Sequence, residues 1–340
     1  MQRKMKKILR MLEKISTFAS RKVDSSTKQV SMKKIILVIS VLVSSMTAFG
    51  QETYLFAQKD SVALYLDIYR PVEDQQKPTI LYVFGGGFMM GARNEAYMLP
   101  WYNMLTDNGY TVVAIDYRLG MKGYKVGKGL IGAAKSVKQF VKSQQMGMED
   151  VFSAVSFLAE HSELGIDVHN IVLAGSSAGA IISLACAHAV ANGQTEGLPE
   201  GMRFKGVMSF AGGLISDKGA PVFKSAPCPL LLLHGTDDKA VNYDHYGAFG
   251  LGVWGSSYIA SRLKKKGWHY SIWRFKHRGH AVSAYMKYVW PIEKEFLEKN
   301  VIQGVPCAVD ALVDDPSLPK MEEWSNISVE SMYNGGLNIK

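Results

Sequence analysis

Cysteine is scarce: 340 residues contain three, Cys186, Cys228 and Cys307. That number excludes the disulfide framework of a small secreted scaffold. One bridge, Cys228–Cys307, stays open as a way of tying down the C-terminal region in an oxidising compartment. Cys186 falls in an apolar stretch and reads as a core residue. None has the spacing of a metal site, and no nucleotide or prosthetic-group signature stands out. Internal repeats are lacking, as is an apolar run long enough to span a bilayer comfortably. The body of the chain also lacks net charge. The formal charge of +9 sits in residues 1–50, which hold eleven Lys/Arg and two Asp/Glu, whereas the rest carries twenty-eight of each. The basic balance therefore excludes a nucleic-acid partner for the body.

The leader itself has a readable anatomy. Met32-Lys33-Lys34 is a charged start, Ile35 to Val43 an apolar run, and Ala48-Phe49-Gly50 puts small residues at −3 and −1. This is the pattern of a secretory signal peptide over residues 32–50, cleaved before Gln51. No cysteine follows it, so a lipid anchor and stable membrane insertion are not expected. Residues 1–31 precede a complete signal and read as an upstream extension. The expected product is exported, periplasmic or secreted.

From residue 51 onward, strands and helices alternate. Tyr54–Gln58 and Val62–Arg70 read as an opening hairpin, the second strand alternating apolar and polar residues as an edge strand should. Thr79–Phe84, Thr111–Tyr117, Ile171–Ala174, Gly206–Ala211 and Leu230–Leu233 are short, nearly continuous apolar runs, as expected of strands covered on both faces. Tyr270–Phe275 is a further strand. Helices are expected within Glu95–Asn108, over Met148–His161, from Ala180 to His188, over Tyr258–Lys266 and over Ala281–Lys299, the last kinked or restarted at Pro291. One mostly parallel sheet in a single domain over 51–300 follows. A Gly- and Lys-rich insertion occupies 119–145, and 301–340 is a tail of little pattern. Within the insertion, Gly127-Lys-Gly129-Leu-Ile-Gly132 matches a dinucleotide fingerprint, with Glu149 and Asp150 downstream. Such a fingerprint must begin at the end of its strand, and here roughly ten residues intervene. A loop leading into a helix is expected there, with its lysines on a solvated face and no cofactor.

The chemistry centres on Gly175-Ser176-Ser177-Ala178-Gly179. It fits G-x-S-x-G between a buried strand and an apolar helix, the setting of a nucleophile elbow. Gly175 and Gly179 suit places where strand and helix pass too closely to admit a Cβ. A serine hydroxyl is a poor nucleophile unless a base lies in hydrogen-bond reach and a carboxylate orients that base. The order Ser, acid, His along the chain is met by Ser177, then Asp237 or Asp238 in the turn after Leu230–Leu233, then His277 or His280 after Tyr270–Phe275. The elbow also supplies the backbone N–H of Ala178 to a developing oxyanion.

Five ordered motifs then carry a resemblance across residues 54–299: Phe84-Gly85-Gly86-Gly87, Asp116-Tyr117-Arg118-Leu119, the elbow, His234-Gly-Thr-Asp-Asp238-Lys-Ala-Val241, and Gly279-His280. The chain resembles the α/β-hydrolase serine esterases, in particular the secreted bacterial branch similar to hormone-sensitive lipase and feruloyl esterases. That resemblance implies Ser177, Asp238 and His280 as catalytic residues, with Asp237 the fallback acid, and Gly86 and Gly87 joining Ala178 in an oxyanion hole. It implies hydrolysis of a carboxylic ester, with acyl groups on glycans as a substrate class, and no cofactor or metal. A peptidase of the same fold, or a silent hydrolase fold used for binding, are the other readings. The branch usually has His where Phe84 stands, which weakens the subfamily more than the activity. His234 is expected to have a structural role in its turn. Phe88, Met89, Met90, Phe249, Val253 and Trp254 are candidates for an apolar pocket or, equally, for the core.

Overall fold

Glu52–Lys59 (β1) and Val62–Tyr69 (β2) form the expected antiparallel hairpin. Its two-residue turn, Asp60-Ser61, takes φ of +49° and +64°, the doubly left-handed geometry that matches the twist of the strands it joins. The computed structural model describes residues 51–73, 76–322 and 326–334; the leader expected in residues 1–50 lies outside them. Thr79–Val83 (β3), Val112–Ile115 (β4), Ile171–Ser176 (β5), Gly206–Phe210 (β6), Leu230–Gly235 (β8), Tyr270–Phe275 (β11) and Ala308–Val313 (β12) complete a nine-stranded sheet, with Gly213–Ser216 (β7), His245–Ala248 (β9) and Leu251–Gly255 (β10) set apart. The main order is β1-β2-β4-β3-β5-β6-β8-β11-β12. All its pairings from β4 onward are parallel, and those of β1 with β2 and β2 with β4 are antiparallel.

β3, β4, β5, β6 and β8 are buried at every position, the burial that their apolar runs require of central strands covered on both faces. Each fully buried Leu of β8 contributes about 1.5–3 kcal/mol relative to exposure. The helices are Leu99–Asp107 (α1), Gly129–Glu160 (α2), Ala178–Ala191 (α3), Ser256–Lys265 (α4), Trp290–Glu295 (α5) and Val329–Asn334 (α6).

Four expectations need correction. The first concerns α2, which begins at Gly129 rather than near Met148, so most of the 119–145 insertion is helix. Its buried positions in that half are Ser136, Ser143 and Gly147, a stripe of small residues that an apolar periodicity does not reveal. Ser136 and Ser143 return their hydroxyls to the carbonyls of Gly132 and Gln139 at 2.8 Å, four residues back along the helix. A Cβ on Gly127 would lie 2.6 Å from the Cα of Gly132. Two glycines of the apparent fingerprint are thus accounted for by a close backbone crossing. Lys122, Lys125, Lys128, Lys135, Lys138 and Lys142 are all exposed, the expected solvated face.

The second is the segment between Ala211 and Pro227, to which the sequence assigned no element and which holds β7; with the hairpin β9–β10 it makes a small antiparallel sheet in the order β7-β10-β9. Third, the helix expected over 281–299 does restart at Pro291, but the part before it is not α-helix. Short 3-10 turns at His280–Ala284 and Met286–Tyr288 come first, and Pro291 then opens α5, which runs on as a π turn over Phe296–Ile302. Proline suits that first turn because its missing N–H would have no partner there. Fourth, the tail carries structure: β12 pairs with β11, tied by Arg274 Nε and Nη2 donating to the Asp310 carboxylate at 2.6 and 3.0 Å. Cys186, Cys228 and Cys307 are free thiols, so no disulfide holds that tail.

Glu293, in α5, is buried, and its Oε2 accepts from Trp101 Nε1 at 2.8 Å. Burial pushes its carboxyl well above the ordinary 4.5, outweighing the Trp101 hydrogen bond. A raised acid binds its proton more tightly in the fold than in the unfolded chain. Stability is then full below the ordinary value and falls as pH rises from there toward the folded value, by about 1.4 kcal/mol per pH unit. Glu293→Gln keeps an acceptor for Trp101 and removes the titration. We expect its melting temperature at pH 8 to exceed that of the wild type and the difference to vanish near pH 4, measured by thermal scans across that range.

Candidate active site

The geometry begins at the end of β5. Ser177 takes φ +51°, ψ −115°, between the strand and α3, a strained conformation for a residue with a side chain. What holds it there is the surroundings. Ser177 N–H donates to Phe210 O at 2.9 Å across the end of β6. A Cβ on Gly175 would strike the backbone of Gly179, and one on Gly179 would strike the carbonyls of Val83 and Phe84. The two glycines are therefore required by close packing of the turn, as its spacing suggested. Ala178 opens α3, so its N–H has no acceptor within the helix and sits at the positive end of the helix dipole.

β5, β8 and β11 run parallel, so the loops that follow them leave from one edge of the sheet. β6 and β8 separate β5 from β11, and the segment after β11 must come back across that edge to reach Ser177. It does so by close backbone contact. A Cβ on Gly235 would collide with Arg278 O, and Asp237 N–H donates to that oxygen at 3.0 Å. Further along, Ser176 Oγ donates to Ser283 O at 2.7 Å. The result brings His280 Nε2 to 2.8 Å from Ser177 Oγ and His280 Nδ1 to 2.8 Å from Asp238 Oδ2. An ionised carboxylate only accepts, so Nδ1 carries a proton toward Asp238; in the neutral ring Nε2 is then free to accept from the serine.

Asp238 is 4% exposed and each of its oxygens is engaged. Oδ1 accepts from Ala240 N and Val241 N at 2.9 and 3.0 Å, while Oδ2 also faces His234 Nε2 at 3.2 Å. Burial by itself would raise this carboxyl. The charge on His280 and the hydrogen bonds from His234 and His280 outweigh burial and hold it well below the usual carboxylate range. His234 is fully buried, with Nδ1 at 2.8 Å from Ser256 Oγ and Nε2 at 2.9 Å from Val241 O, so its structural part is to buttress the acid turn. The two alternatives go elsewhere: Asp237 accepts from Thr236 Oγ1 at 2.8 Å and stands 3.6 Å from His277 Nδ1, both side chains mostly exposed. They pair with each other, outside the Ser177–His280–Asp238 chain.

The glycine loop lies beside the serine. Gly86 and Gly87 take φ of +99° and +62°, and Met89 N–H and Met90 N–H both turn back to Gly86 O at 3.1 Å. Phe84, where a histidine is usual in the resembled branch, stacks on Tyr117 with ring centroids 4.4 Å apart. The Asp116-Tyr117-Arg118 motif is a frame for this region. Asp116 and the buried Asp67 both pair with Arg93, at 2.7 and 2.9 Å, and Arg118 pairs with the buried Asp150.

Ser177, His280 and Gly86 open on a cavity of about 560 Å³. Its walls are largely apolar, and five methionines stand in them: Met90, Met98, Met286, Met321 and Met332, beside Tyr97, Trp101 and Tyr288. Of the expected pocket residues only Met90 is among them. Phe88 is buried and packs on Tyr117 and Phe140. Phe249, at φ +53°, is 93% exposed at the tip of the β9–β10 hairpin, and Trp254 is buried on Tyr258 and His245. Met321 and Met332 come from the tail, and no motif or periodicity in the sequence pointed to them.

Residues 42–202 match the model of the carboxylesterase family; the stretch contains the glycine loop and Ser177, and ends before Asp238 and His280. A chlorogenic acid esterase of Aspergillus niger is 29% identical over 165 residues, 46% of this chain and 27% of that protein. Esterase E4 of Myzus persicae is 26% identical over 139 residues, 39% of this chain and 22% of that one. A non-reducing polyketide synthase, trt4, of Aspergillus terreus shares 37% over 76 residues, 21% of this chain and 3% of its own. The chain thus spans less than a third of the length of the curated relatives it matches. Among solved structures, propionate-bound esterase 2 of Thermogutta terrifontis superposes with a TM-score of 0.54 at 22% identity, over 75% of this chain and 96% of that one. Its native form gives 0.53 at 22% identity, over 75% and 94%. The fold is the α/β-hydrolase fold.

The elbow's packing has a direct consequence. Gly179→Ala forces a methyl group into the Val83 and Phe84 carbonyls, an overpacking that costs about 1–3 kcal/mol. A thermal scan is expected to show a melting temperature lower by several degrees together with loss of whatever reactivity Ser177 has.

Proposed function

We propose that this protein is an exported serine hydrolase that cleaves carboxylic esters through an acyl-enzyme. The single observation that carries the reading is the unbroken hydrogen-bonded chain Ser177 Oγ–His280–Asp238, 2.8 Å at each step. His280 Nε2 takes the hydroxyl proton as Ser177 Oγ bonds to the ester carbonyl carbon, and the carbonyl π electrons move onto its oxygen. The N–H groups of Ala178, Gly86 and Gly87 are the donors proposed for that oxyanion, each worth on the order of 3 kcal/mol in the transition state. Collapse expels the alcohol, which receives its proton from His280. Water, deprotonated by the same imidazole, then releases the acid and restores Ser177. Asp238 holds the imidazole in the useful tautomer and stabilises its charged form.

The cavity beside Ser177 favours an apolar group on one side of the ester. Methionine walls adapt their shape to differing chains, which supports acceptance of several acyl groups up to the length that the walls allow. Export rests on the Met32–Gly50 pattern alone. The feruloyl-esterase resemblance of the motifs, with export, supports an acyl group borne on a plant or host glycan as the natural substrate.

A fluorophosphonate probe tests the reading. Wild type is expected to be labelled at Ser177, Ser177→Ala not at all, and hydrolysis of short acyl nitrophenyl esters to follow labelling. Equal labelling of wild type and Ser177→Ala, or none of the wild type, would identify a silent binding fold instead. In the same assay Asp238→Asn is expected to lower kcat by roughly 10³–10⁴-fold, and Asp237→Asn to leave it within about twofold because Asp237 faces solvent and His277.

A further inference from the structure

The tail returns to the site after β12. Lys239, one residue past Asp238, forms a β-bridge with Ser328. Asn334 clamps the backbone of Val126, its Oδ1 accepting from Val126 N and its Nδ2 donating to Val126 O, both at 3.1 Å. Between these two anchors, Met332 and Tyr333 are buried against the glycine loop. Met332 stands in the wall of the cavity that holds Ser177 and His280. The Tyr333 hydroxyl donates to Gly87 O in a short hydrogen bond. Burial pushes that phenol well above its ordinary value, so it stays protonated and able to donate.

The carbonyls of the glycine loop make the meaning of this contact clear. Four successive ones are tied: Gly85 O accepts from Tyr117 Oη at 3.2 Å, Gly86 O from Met89 N and Met90 N, Gly87 O from Tyr333, and Phe88 O from Met121 N at 2.9 Å. A peptide unit is planar, so a fixed carbonyl fixes the N–H of the next residue: Gly85 O orients Gly86 N–H, Gly86 O orients Gly87 N–H, and Gly87 O orients Phe88 N–H. Tyr333 therefore holds the plane on the far side of the Gly87 Cα, and with it the Cα from which the Gly87 N–H plane hangs. Gly86 O is held from within the loop and Gly85 O and Phe88 O from the segment after β4, whereas Gly87 O is held from 246 residues away. Gly87 also has no room for a side chain for the same reason. A Cβ there would lie 2.6 Å from Tyr333 Oη and 2.7 Å from Met332 Sδ, so these two tail side chains fill the space beside it.

We propose that the C-terminal segment 326–334 completes this site: Tyr333 is a positioning residue that holds the Gly87–Phe88 peptide and so anchors the Cα behind the Gly87 N–H that faces the oxyanion, and Met332 sets the length of chain the cavity accepts. The proposal rests on the esterase reading above, and its test separates the two. Tyr333→Phe removes one oxygen and keeps the edge-on packing with Phe140, whose ring centroid lies 5.1 Å away. Loss of one hydrogen bond to a positioned group corresponds to about a three- to tenfold fall in rate.

The experiment measures kcat and KM of the full chain on nitrophenyl esters from acetate to octanoate and on a matching series of alkyl acetates, with labelling of Ser177 and thermal scans alongside. The Tyr333→Phe variant is expected to lose kcat by that factor on every substrate, with KM and melting temperature close to wild type. Met332→Ala is expected to move the preferred chain length upward in one of the two series, and Met332→Phe to move it downward in the same series. If the wild type labels and turns over but Tyr333→Phe keeps full kcat, or loses it only in step with melting temperature, or both Met332 variants keep the wild-type length profile, the segment is a structural brace and the proposal is wrong. If the wild type neither labels nor hydrolyses any ester, the esterase reading has failed and this proposal goes with it.

Discussion

Everything in the site depends on where one imidazole stands. His280 connects a hydroxyl at the end of β5 with a carboxylate after β8, and it comes from beyond β11 to do so. The link has to be built in a nearly dry place, with His280 1% exposed and Asp238 4%. A buried carboxylate without partners would take up a proton. Here two backbone N–H groups and two imidazoles keep it charged, and that charge gives the Nδ1 proton its direction. Electrostatics and tautomer are therefore one problem with one solution.

The rest of the fold supplies the precision. A parallel sheet sends three loops off one edge, but alone it would leave His280 two strands too far from Ser177. Gly235 lets the returning chain lie directly on the end of β8, and Ser176 fastens it by Ser283 O. On the opposite side, Gly179 lets α3 start under the carbonyls of β3. Each glycine marks a crossing of two backbones, and each crossing sets a distance in the site. His234 belongs to the same logic: buried and bonded on both ring nitrogens, it fixes the loop that carries Asp238 from behind.

Much of this was legible because burial on both faces leaves a strong trace. Residues 80–83, 171–174 and 230–233 form unbroken apolar runs because they are covered on both faces, and the sharp turns at their ends demand glycine and serine. The choice of Asp238 over Asp237 needed the motif, because two adjacent carboxylates look alike until one is turned inward. The first half of α2 was hidden by its stripe of Ser136, Ser143 and Gly147, where closeness to Gly120 and Ile182 replaces bulk. The strand β12 was hidden because none of its positions is buried and its exposed ones include Ala308 and Leu312, which blurs the polar–apolar alternation. The cavity walls were hidden for a different reason. Met98, Met286, Met321 and Met332 are dispersed over more than two hundred residues, and methionine has no positional signature of the kind that a turn or a cap leaves.

The bond from His280 Nδ1 to Asp238 is also the most directly observable part of the relay. A proton held between an imidazole and a buried carboxylate, sheltered from exchange, gives a proton NMR resonance far downfield of the amide envelope. The proposed relay predicts such a resonance in the wild type, its assignment to His280 by selective 15N labelling of histidine, and its disappearance in Asp238→Asn. No such resonance at any accessible pH, or one that survives the loss of the Asp238 carboxylate, would contradict it.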